Sequence, residues 1–417
     1  MGAQYPLNLS DKLIDWTALA DAGGETLIAG QHVVEAGPGY GLDAFAWASL
    51  ARRYVALDSQ ADPLDRAALG GAEAVRADFL DPWPEAAQGC DLILDFSSLD
   101  DTGEPLNCYP HAVAALRVGG RLLTSFANAA AMTEAEAAVY GAGASHPVAL
   151  IRELRRLGMR TDRLWNETGA RAVIMTTKLD LPKNPPVEVV RRAWVRASQF
   201  PGDKEAAYPR GPSGETGHTD AQEFEAQRGK RALEYGCGGG SDTLSYLRRG
   251  CDVTYVDITP ENVDTTRAYA AREGYAARSK GIVLEESDRI PMPSGIFEVA
   301  NAHGVLHHIP RADLVLWELR RLLKPGGLLF AMLYTEHLEA RFAEQIAKTM
   351  EAAGVSREEA MCWCFDGHGS PWSRTYTGEQ GETLLNEHGF KLLEVREYNV
   401  STINDKPDFR TFKAVAT

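Results

Sequence analysis

The sequence predicts an α/β protein built from two tandem doubly wound sheets, each mostly parallel. A short apolar strand ending in a glycine-rich turn occurs twice, once in each half, and a helical stretch follows each turn. In both halves the next strand ends in an aspartate. Glu35 and Asp58 are 23 positions apart, and so are Glu234 and Asp257. The equal spacing indicates that one fold is used twice along the chain.

The elements of the two halves correspond in order. In the first half HVVEAGPGYG (32–41), DAFAWASLARR and YVALDSQ are predicted as strand, helix and strand; RALEYGCGGG (231–240), SDTLSYLRRG and DVTYVDIT take these places in the second. The fourth and fifth strands are predicted within 91–98 and 115–126 of the first half, and within 297–304 and 322–334 of the second. Each half ends in segments typical of an antiparallel hairpin. Strands that alternate with helices predict a doubly wound sheet.

A proline cluster predicts the domain boundary. LPKNPP (181–186) holds three prolines, which exclude both a helix and a central strand. We therefore expect one domain at residues 1–183 and a second at 184–417. The second domain carries an insertion, 335–378, between its fifth strand and its closing hairpin. Such an insertion would overhang the carboxyl ends of the strands, where open α/β sheets bind ligands, so it is predicted to be a substrate cap.

Composition and charge disfavour several classes of protein. A net charge of -15 disfavours non-specific binding to nucleic acid, and a run of about 18 apolar residues, as a membrane span needs, does not occur. The six cysteines lack a disulfide framework, so a cytoplasmic location is expected. Cys362 and Cys364, with His368 nearby, offer too few ligands for a tetrahedral ion, and no metal is expected. A small-molecule partner fits best, and a homodimer is left open.

The glycine turns and their acidic neighbours favour a cationic nucleoside ligand. A glycine-rich turn lets the backbone approach a ligand closely, and an aspartate after the second strand can accept hydrogen bonds from ribose hydroxyls. A carboxylate just before the glycines would repel the pyrophosphate of a dinucleotide, whereas S-adenosylmethionine carries an ammonium and a sulfonium. Glu35 and Glu234 therefore favour S-adenosylmethionine over a nicotinamide cofactor.

Two segments of the second half resemble a known family. Glu234-Tyr-Gly-Cys-Gly-Gly-Gly240 resembles the E-x-G-x-G-x-G signature of class I S-adenosylmethionine-dependent methyltransferases, whose sheet is Rossmann-like. VLHHIP (305–310), followed by LRRLLKPGGLLF, resembles the ubiquinone/menaquinone-biosynthesis-type branch of that superfamily. The resemblance covers about residues 231–330 and implies transfer of a methyl group to a small-molecule acceptor. The first half resembles a methyltransferase-like domain that is related to the second half, so the chain holds two such domains in tandem.

The resemblance also implies roles for individual residues. Asp257 would hold the ribose hydroxyls, Ile258 would pack on adenine and Asp288 would accept from the adenine amino group. The whole set of implied cofactor contacts in the second domain is Glu234, Gly236, Cys237, Gly238, Gly240, Asp257, Ile258, Asp288, Asn301 and Ala302. The corresponding residues of the first domain are Glu35, Gly37, Gly39, Asp58, Asp78 and Phe79.

Candidates for catalysis and for acceptor binding follow from position. A methyl acceptor that is a hydroxyl needs a general base, and His303, His307 and Tyr334 are the candidates, although His303 and His307 can also be structural. The aromatic end of the insertion offers substrate contacts, or else a small core for the cap itself: Trp372, Arg374 and Tyr376.

The first domain is expected to be degenerate or regulatory. It has no counterpart of HGVLHHIP (303–310) after its fourth strand and no long insertion after its fifth. Three alternatives stay open: two active domains, a nucleoside-binding scaffold without catalysis, and a nicotinamide-dependent oxidoreductase on the same fold.

Overall fold

The computed structural model describes residues 9–96, 98–99, 102, 104–132, 147–182, 184–198, 221–367, 369–399 and 406–417. The chain separates into two compact units, Met1–Leu181 and Pro182–Thr417. The predicted domain limit is residue 183. This residue lies outside the described residues, and the limit itself stays a prediction. His368 also lies outside them.

The first unit contains a seven-stranded mixed sheet. Its strands are β1 (His32–Ala36), β2 (Arg53–Asp58), β3 (Glu73–Arg76), β4 (Cys90–Phe96), β5 (Leu116–Ala127), β6 (Met159–Trp165) and β7 (Arg171–Lys178). Their order across the sheet is β3-β2-β1-β4-β5-β7-β6. β1 to β5 are parallel, whereas β7 is antiparallel to both β5 and β6.

The described residues of this unit form six α-helices. They are α1 (Leu9–Asp21), α2 (Glu25–Ile28), α3 (Leu42–Trp47), α4 (Ala61–Leu69), α5 (Pro105–Ala115) and α6 (Pro147–Arg156). Of these, α3, α4 and α5 lie between parallel strands. Successive residues of the central strands enter opposite cores: Val34 and Ile93 pack on one face of the sheet, Val33 and Leu92 on the other. Since both faces are covered, β1 is buried along its whole length and the central strands are largely apolar.

The second unit repeats this topology. Its strands are β8 (Arg231–Tyr235), β9 (Asp252–Asp257), β10 (Ser279–Val283), β11 (Phe297–His303), β12 (Leu323–Tyr334), β13 (Phe390–Tyr398) and β14 (Phe409–Ala416). The order across the sheet is β10-β9-β8-β11-β12-β14-β13, and β14 is antiparallel to β12 and β13. Two doubly wound sheets with antiparallel closing hairpins confirm the predicted fold class.

Helices of the second unit include three in the predicted insertion. The helices are α7 (Val187–Ser198), α8 (Ser241–Arg248), α9 (Pro260–Arg272), α10 (Ala312–Leu322), α11 (Glu336–Arg341), α12 (Ala343–Ala353), α13 (Arg357–Asp366) and α14 (Gly378–Asn386). A single β-bridge joins Thr335 to Tyr376, so the two ends of the insertion meet beside β12. Among the described residues, no helix is both long and apolar enough to span a bilayer.

The strand order reverses between β8 and β11 in the second unit. Chain connections leave these two neighbouring strands in opposite directions, which opens a crevice at their carboxyl ends. The glycine turn after β8 and the end of β11 border this crevice. The functional residues predicted in the second unit are therefore expected at this edge of the sheet.

Candidate functional site

The glycine turn of the second unit is fixed by close packing. Gly236 has φ 75°, and a Cβ there would lie 2.4 Å from Cγ2 of Val305. Gly240 has φ 86°, and its Cβ would lie 2.8 Å from Oγ1 of Thr266. Both positions exclude a side chain by backbone conformation and by space. At Gly238, by contrast, a Cβ would meet nothing within 4 Å, so the backbone there is open to a ligand.

Asp257 is held against this turn at the end of β9. Its carboxylate accepts hydrogen bonds from the backbone N–H of Gly238 (3.0 Å) and of Thr259 (2.8 Å), and from the side-chain amide of Asn262 (3.1 Å). Burial raises the pKa of Asp257, and these donors act against that rise. The carboxylate therefore has a fixed position at the tip of the second strand, where a ribose-binding acid is expected.

A buried group of two carboxylates and one amide lies beside the turn. Nδ2 of Asn301, on β11, lies 2.9 Å from Oε2 of Glu234 and 3.0 Å from Oδ2 of Asp242. Burial and the charge of Asp242 raise the pKa of Glu234 well above its usual range. Oδ1 of Asn301 is buried and has no hydrogen-bond partner among the described residues. The group thus brings together two carboxyl groups and one unused acceptor, and a cationic ligand would favour the charged form of these carboxyl groups.

His303 ends β11 and is oriented by Asp242. Its Nδ1 lies 3.0 Å from Oδ2 of Asp242, and its Nε2 lies 3.5 Å from the hydroxyl of Tyr398. Because a carboxylate only accepts, Nδ1–H donates to Asp242, which leaves the lone pair on Nε2. The His303 side chain is 14% exposed, enough for a ligand to reach it. This arrangement gives the ring the tautomer of a general base.

Asp242 and Tyr398 were not foreseen from the sequence. Asp242 is the second residue of α8, directly after the glycine turn. A signal for it exists, since Asp43 has the same place in the first copy of the turn. Tyr398 ends β13, 95 positions from His303, and no local pattern connects the two.

The other implied cofactor residues are more dispersed. Cys237 is buried, and its Sγ lies 3.6 Å from the hydroxyl of Thr266. Ala302 is buried in the core. Asp288 is buried in the loop after β10, not on the strand. The carbonyl of Ile258 accepts from Nε of Arg191 on α7 at 2.6 Å, so this helix, unmarked in the sequence, contacts the predicted adenine end.

His307 and Tyr334 are packed face to face. Their rings are stacked with centroids 3.7 Å apart, and His307 is fully buried. Burial and the neighbouring histidines lower the pKa of His307 well below its usual value, so it is neutral. Neither ring nitrogen has a hydrogen-bond partner of ordinary geometry in the described parts of the chain. The Tyr334 hydroxyl donates to Oδ1 of Asp366 at 2.6 Å.

The three predicted substrate residues have different surroundings. Tyr376 is buried in the main core, and its backbone N–H donates to the carbonyl of Tyr334. Arg374 is exposed, with its guanidinium carbon 4.8 Å from the ring centroid of Tyr376. Trp372 is half-buried. Of the three, Arg374 and Trp372 are accessible to an acceptor, while Tyr376 packs as core.

The first unit builds its turn with other partners. Glu35 is buried and accepts from the Tyr54 hydroxyl at 3.1 Å. A Cβ on Gly37 (φ 65°) would come within 1.9 Å of Oγ of Ser98. Burial raises the pKa of Asp58, which accepts from the Gln60 N–H at 2.8 Å.

The three further residues of the first unit implied as cofactor contacts have different surroundings. Gly39 (φ 52°) has open space where a Cβ would lie, as Gly238 has. Asp78 is exposed and accepts from the Leu80 N–H, and Phe79 packs in the core near Trp83. Phe79 therefore lies inside the protein among apolar side chains, and Asp78 lies at its surface.

Comparisons with known proteins agree with this geometry for the second unit. Residues 233–331 match the family described as "Methyltransferase domain". The match covers the segment from β8 into β12 and confirms the resemblance inferred from the signature after β8.

Curated relatives extend over the same region. A ubiquinone biosynthesis O-methyltransferase of Pectobacterium carotovorum is 32% identical over 110 residues, which cover 26% of this chain and 45% of that protein. One from Actinobacillus pleuropneumoniae is 29% identical over 149 residues, 33% of this chain and 64% of that protein. The chain thus spans about half the length of the curated relatives it matches.

Solved structures with similarity to the chain include a Burkholderia thailandensis 1,6-didemethyltoxoflavin-N1-methyltransferase with bound 1,6-didemethyltoxoflavin and S-adenosylhomocysteine. It is 20% identical, with a TM-score of 0.41, and the alignment covers 58% of this chain and 94% of that one.

Proposed function

We propose that the second unit binds S-adenosylmethionine at the carboxyl edge of its sheet and transfers the methyl group to a small-molecule acceptor. The observation that carries this proposal is the buried acidic group at the glycine turn, Glu234, Asp242 and Asp257, within the matched methyltransferase segment. Buried carboxylates without a cation are unfavourable, and a ligand with an ammonium and a sulfonium neutralises them. The same carboxylates would repel a pyrophosphate.

The cofactor roles proposed for this site follow the polarity of each position. Asp257 holds the ribose hydroxyls, because its carboxylate is fixed at the end of β9. Asn301, whose buried Oδ1 has no partner within the described chain, accepts from the ammonium group. Ile258 and Asp288, on the loops after β9 and β10, take the adenine. The open backbone at Gly238 lets the methionine part approach.

We infer that the acceptor atom is a hydroxyl oxygen and that His303 is the general base. When bound, S-adenosylmethionine supplies a methyl group on a sulfonium, which a nucleophile attacks in a direct displacement. His303 Nε2 takes the hydroxyl proton, and Asp242 stabilises the resulting imidazolium through Nδ1–H. Two curated relatives are O-methyltransferases by name, in keeping with this assignment.

We assign the acceptor to the crevice below the insertion, with Trp372 and Arg374 as its contacts. Both side chains are accessible, and the guanidinium offers a partner for an acidic group on the acceptor. The ring of Tyr376 packs against the guanidinium of Arg374. His307 and Tyr334 line the bottom of the crevice and do not act as the general base, since the Tyr334 hydroxyl is held by Asp366.

We propose that the first unit is a structural or regulatory partner without catalysis. In support, Glu35 is bound by Tyr54, and the fourth strand ends without a histidine. Two active units, and a binding scaffold without catalysis, are the alternatives. From the composition we further propose a cytoplasmic enzyme without nucleic-acid or membrane partners. A homodimer stays open.

Calorimetric titration of the full chain distinguishes these functions. We expect heat with S-adenosylmethionine and S-adenosylhomocysteine at one site per chain, and none with nicotinamide dinucleotides. Two sites per chain would favour two active units, and binding of a dinucleotide alone would overturn the proposal. Formation of S-adenosylhomocysteine with a panel of phenols, catechols, amines and thiols then tests the acceptor class. Binding without turnover on any acceptor would favour the scaffold.

A further inference from the structure

We propose that His308, Cys362 and Asp366 bind one divalent transition-metal ion, of which Zn²⁺ best matches these donors. The three residues come from two elements: His308 ends a short 3-10 turn, Leu306–His308, after β11, and the other two lie on α13 of the insertion. A shared ion would tie the insertion to the core. This site is independent of the proposed methyl transfer.

The distances between the donor atoms suit a tetrahedral ion. Nε2 of His308, Sγ of Cys362 and a carboxylate oxygen of Asp366 all lie within 4.8 Å of one another. Oδ2 of Asp366 is 3.6 Å from Sγ and 3.7 Å from Nε2. Zinc bonds of about 2.0 Å to N or O and 2.3 Å to S place adjacent tetrahedral ligands roughly 3.3 to 3.6 Å apart. Small side-chain shifts therefore complete the coordination.

The His308 ring is oriented as a ligand. Its Nδ1 lies 3.4 Å from the carbonyl oxygen of Trp372, so Nδ1–H points to that carbonyl and Nε2 carries the lone pair. Metal-binding histidines commonly use their second nitrogen in this way. Nε2 is buried, with the His308 side chain 3% exposed, and it has no hydrogen-bond partner among the described residues. A buried acceptor without a donor is unfavourable, and a metal ion would remove that cost.

Asp366 is also held from its far side. The Tyr334 hydroxyl donates to Oδ1 at 2.6 Å, which directs Oδ2 toward Cys362 and His308. A ligating carboxylate that is itself hydrogen-bonded is a usual outer-shell arrangement. The Asp366 side chain is 14% exposed, so an ion can reach the site from solvent.

Simple packing accounts for only part of this arrangement. A thiol that donates to Asp366 would explain the contact of Cys362 but would leave Nε2 of His308 without a partner. Cys362 and Asp366, four residues apart on a helix, share one face, whereas Cys364 lies elsewhere on α13, with its Sγ 3.9 Å from Oγ1 of Thr349 on α12. The Cys-x-Cys spacing noted in the sequence is therefore not the source of the ligands.

The site is of the three-ligand kind. Three protein ligands leave one position of a tetrahedral ion for water or for another small ligand. Binding releases the thiol proton to solvent as the sulfur–metal bond forms. Because the ion would bridge the 3-10 turn and α13, its binding stabilises the second unit in proportion to free metal concentration.

Cobalt substitution tests the proposal directly. Full-length protein, stripped with a chelator and free of affinity tags, is titrated with Co²⁺ under reducing, anaerobic conditions. We expect one Co²⁺ per chain, visible bands of a four-coordinate ion and a near-ultraviolet sulfur-to-cobalt band, all removed by Zn²⁺. Cys362→Ser abolishes the sulfur band, while the matched control Cys364→Ser keeps it. A missing band in the unmodified protein, or one that survives Cys362→Ser, overturns the site.

Further variants keep the test decisive if Cys362→Ser does not fold. His308→Gln and Asp366→Asn should each lower the affinity for Co²⁺ at least tenfold, and unchanged affinity in either folded variant contradicts the proposal. Tyr334→Phe, which removes the outer hydrogen bond to Oδ1 of Asp366, should lower affinity by about 10-fold. Zn²⁺ should also raise the melting temperature of the unmodified protein and of Cys364→Ser, but not of His308→Gln.

Discussion

The two glycine turns of this chain have similar backbone conformations, but the strands that face them differ. In the second unit Glu234 pairs in register with Asn301, and β11 ends in Asn301, Ala302 and His303. In the first unit Glu35 pairs in register with Leu94. The polar groups that hold Glu234 and position a base are thus absent from the corresponding strand, β4.

The first unit compensates within its own strands. The Tyr54 hydroxyl from β2 donates to Glu35, and Asp95, one residue beyond Leu94, accepts from the N–H groups of Ser98 and Leu99. Its acids are therefore bound by the protein itself, whereas the second unit also leaves Oδ1 of Asn301 without a hydrogen-bond partner among the described residues. The two turns are thus alike, and the units differ in the fourth strand next to each turn.

The largest expected effect is on catalysis in the second unit. His303→Gln should lower kcat by about 10³-fold with any hydroxyl acceptor that the panel identifies, because the base is lost while the cofactor contacts remain. The dissociation constant of S-adenosylmethionine, measured by calorimetry, should change little. A kcat within threefold of the unmodified enzyme would remove His303 from the mechanism. Phe96→His, at the matching end of β4, should leave kcat unchanged.

Asp95 of the first unit is expected to change the free energy of unfolding by about as much as His303→Gln changes the activation free energy. Burial raises the pKa of Asp95 to about 7, whereas an unfolded aspartate titrates near 3.9. The folded state therefore holds the proton more tightly, and its stabilising effect is complete below about pH 4 and lost as the pH rises through 7. Asp95→Asn should remove up to about 4 kcal/mol of this pH dependence.

Urea unfolding of the full chain at a series of pH values measures the Asp95 effect. The difference in free energy of unfolding between variant and unmodified protein should grow from pH 4 to 7 and then level off. The exposed Asp62→Asn is the control and should give no such trend. A flat difference for Asp95→Asn would mean that this carboxyl stays ionised in the folded protein.

Cofactor binding should separate the two strand-end aspartates. Asp257→Asn should weaken binding of S-adenosylmethionine by about 100-fold, as expected for the loss of hydrogen bonds to a charged group. Asp58→Asn should leave the titration unchanged. If Asp58→Asn instead removes a binding event, the first unit holds cofactor as well, and the comparison between the units has to be revised.

The smallest effect is expected from Tyr54→Phe. Loss of one buried hydrogen bond should lower the free energy of unfolding of the first unit by about 1 kcal/mol, measured in urea. The same variant should not create binding of S-adenosylmethionine if the fourth strand is what limits this unit. A second binding event in Tyr54→Phe would show that the tyrosine alone blocks the turn.

Local patterns sufficed to predict the sheets and the turns. The glycines and strand-end acids are close together in sequence, and the structure brings Asp257 against the glycine turn at Gly238. Contacts between distant elements could not be predicted. Asp242 and His303 are 61 positions apart, and only the pairing of β8 with β11 brings them together. His308 meets Cys362 only because the insertion folds back onto β12, which no periodicity reveals.

The bridge between Thr335 and Tyr376 has a consequence for how such proteins diversify. It closes the insertion at its base, so the segment leaves and rejoins the sheet at one point. The entropic cost of such a closed segment rises only slowly with its length. Whole caps of other lengths and compositions can therefore be exchanged at this point while β12 and the glycine turn keep their positions. With the acceptor site proposed above, selection can change the acceptor without rebuilding the glycine turn proposed to hold the methyl donor.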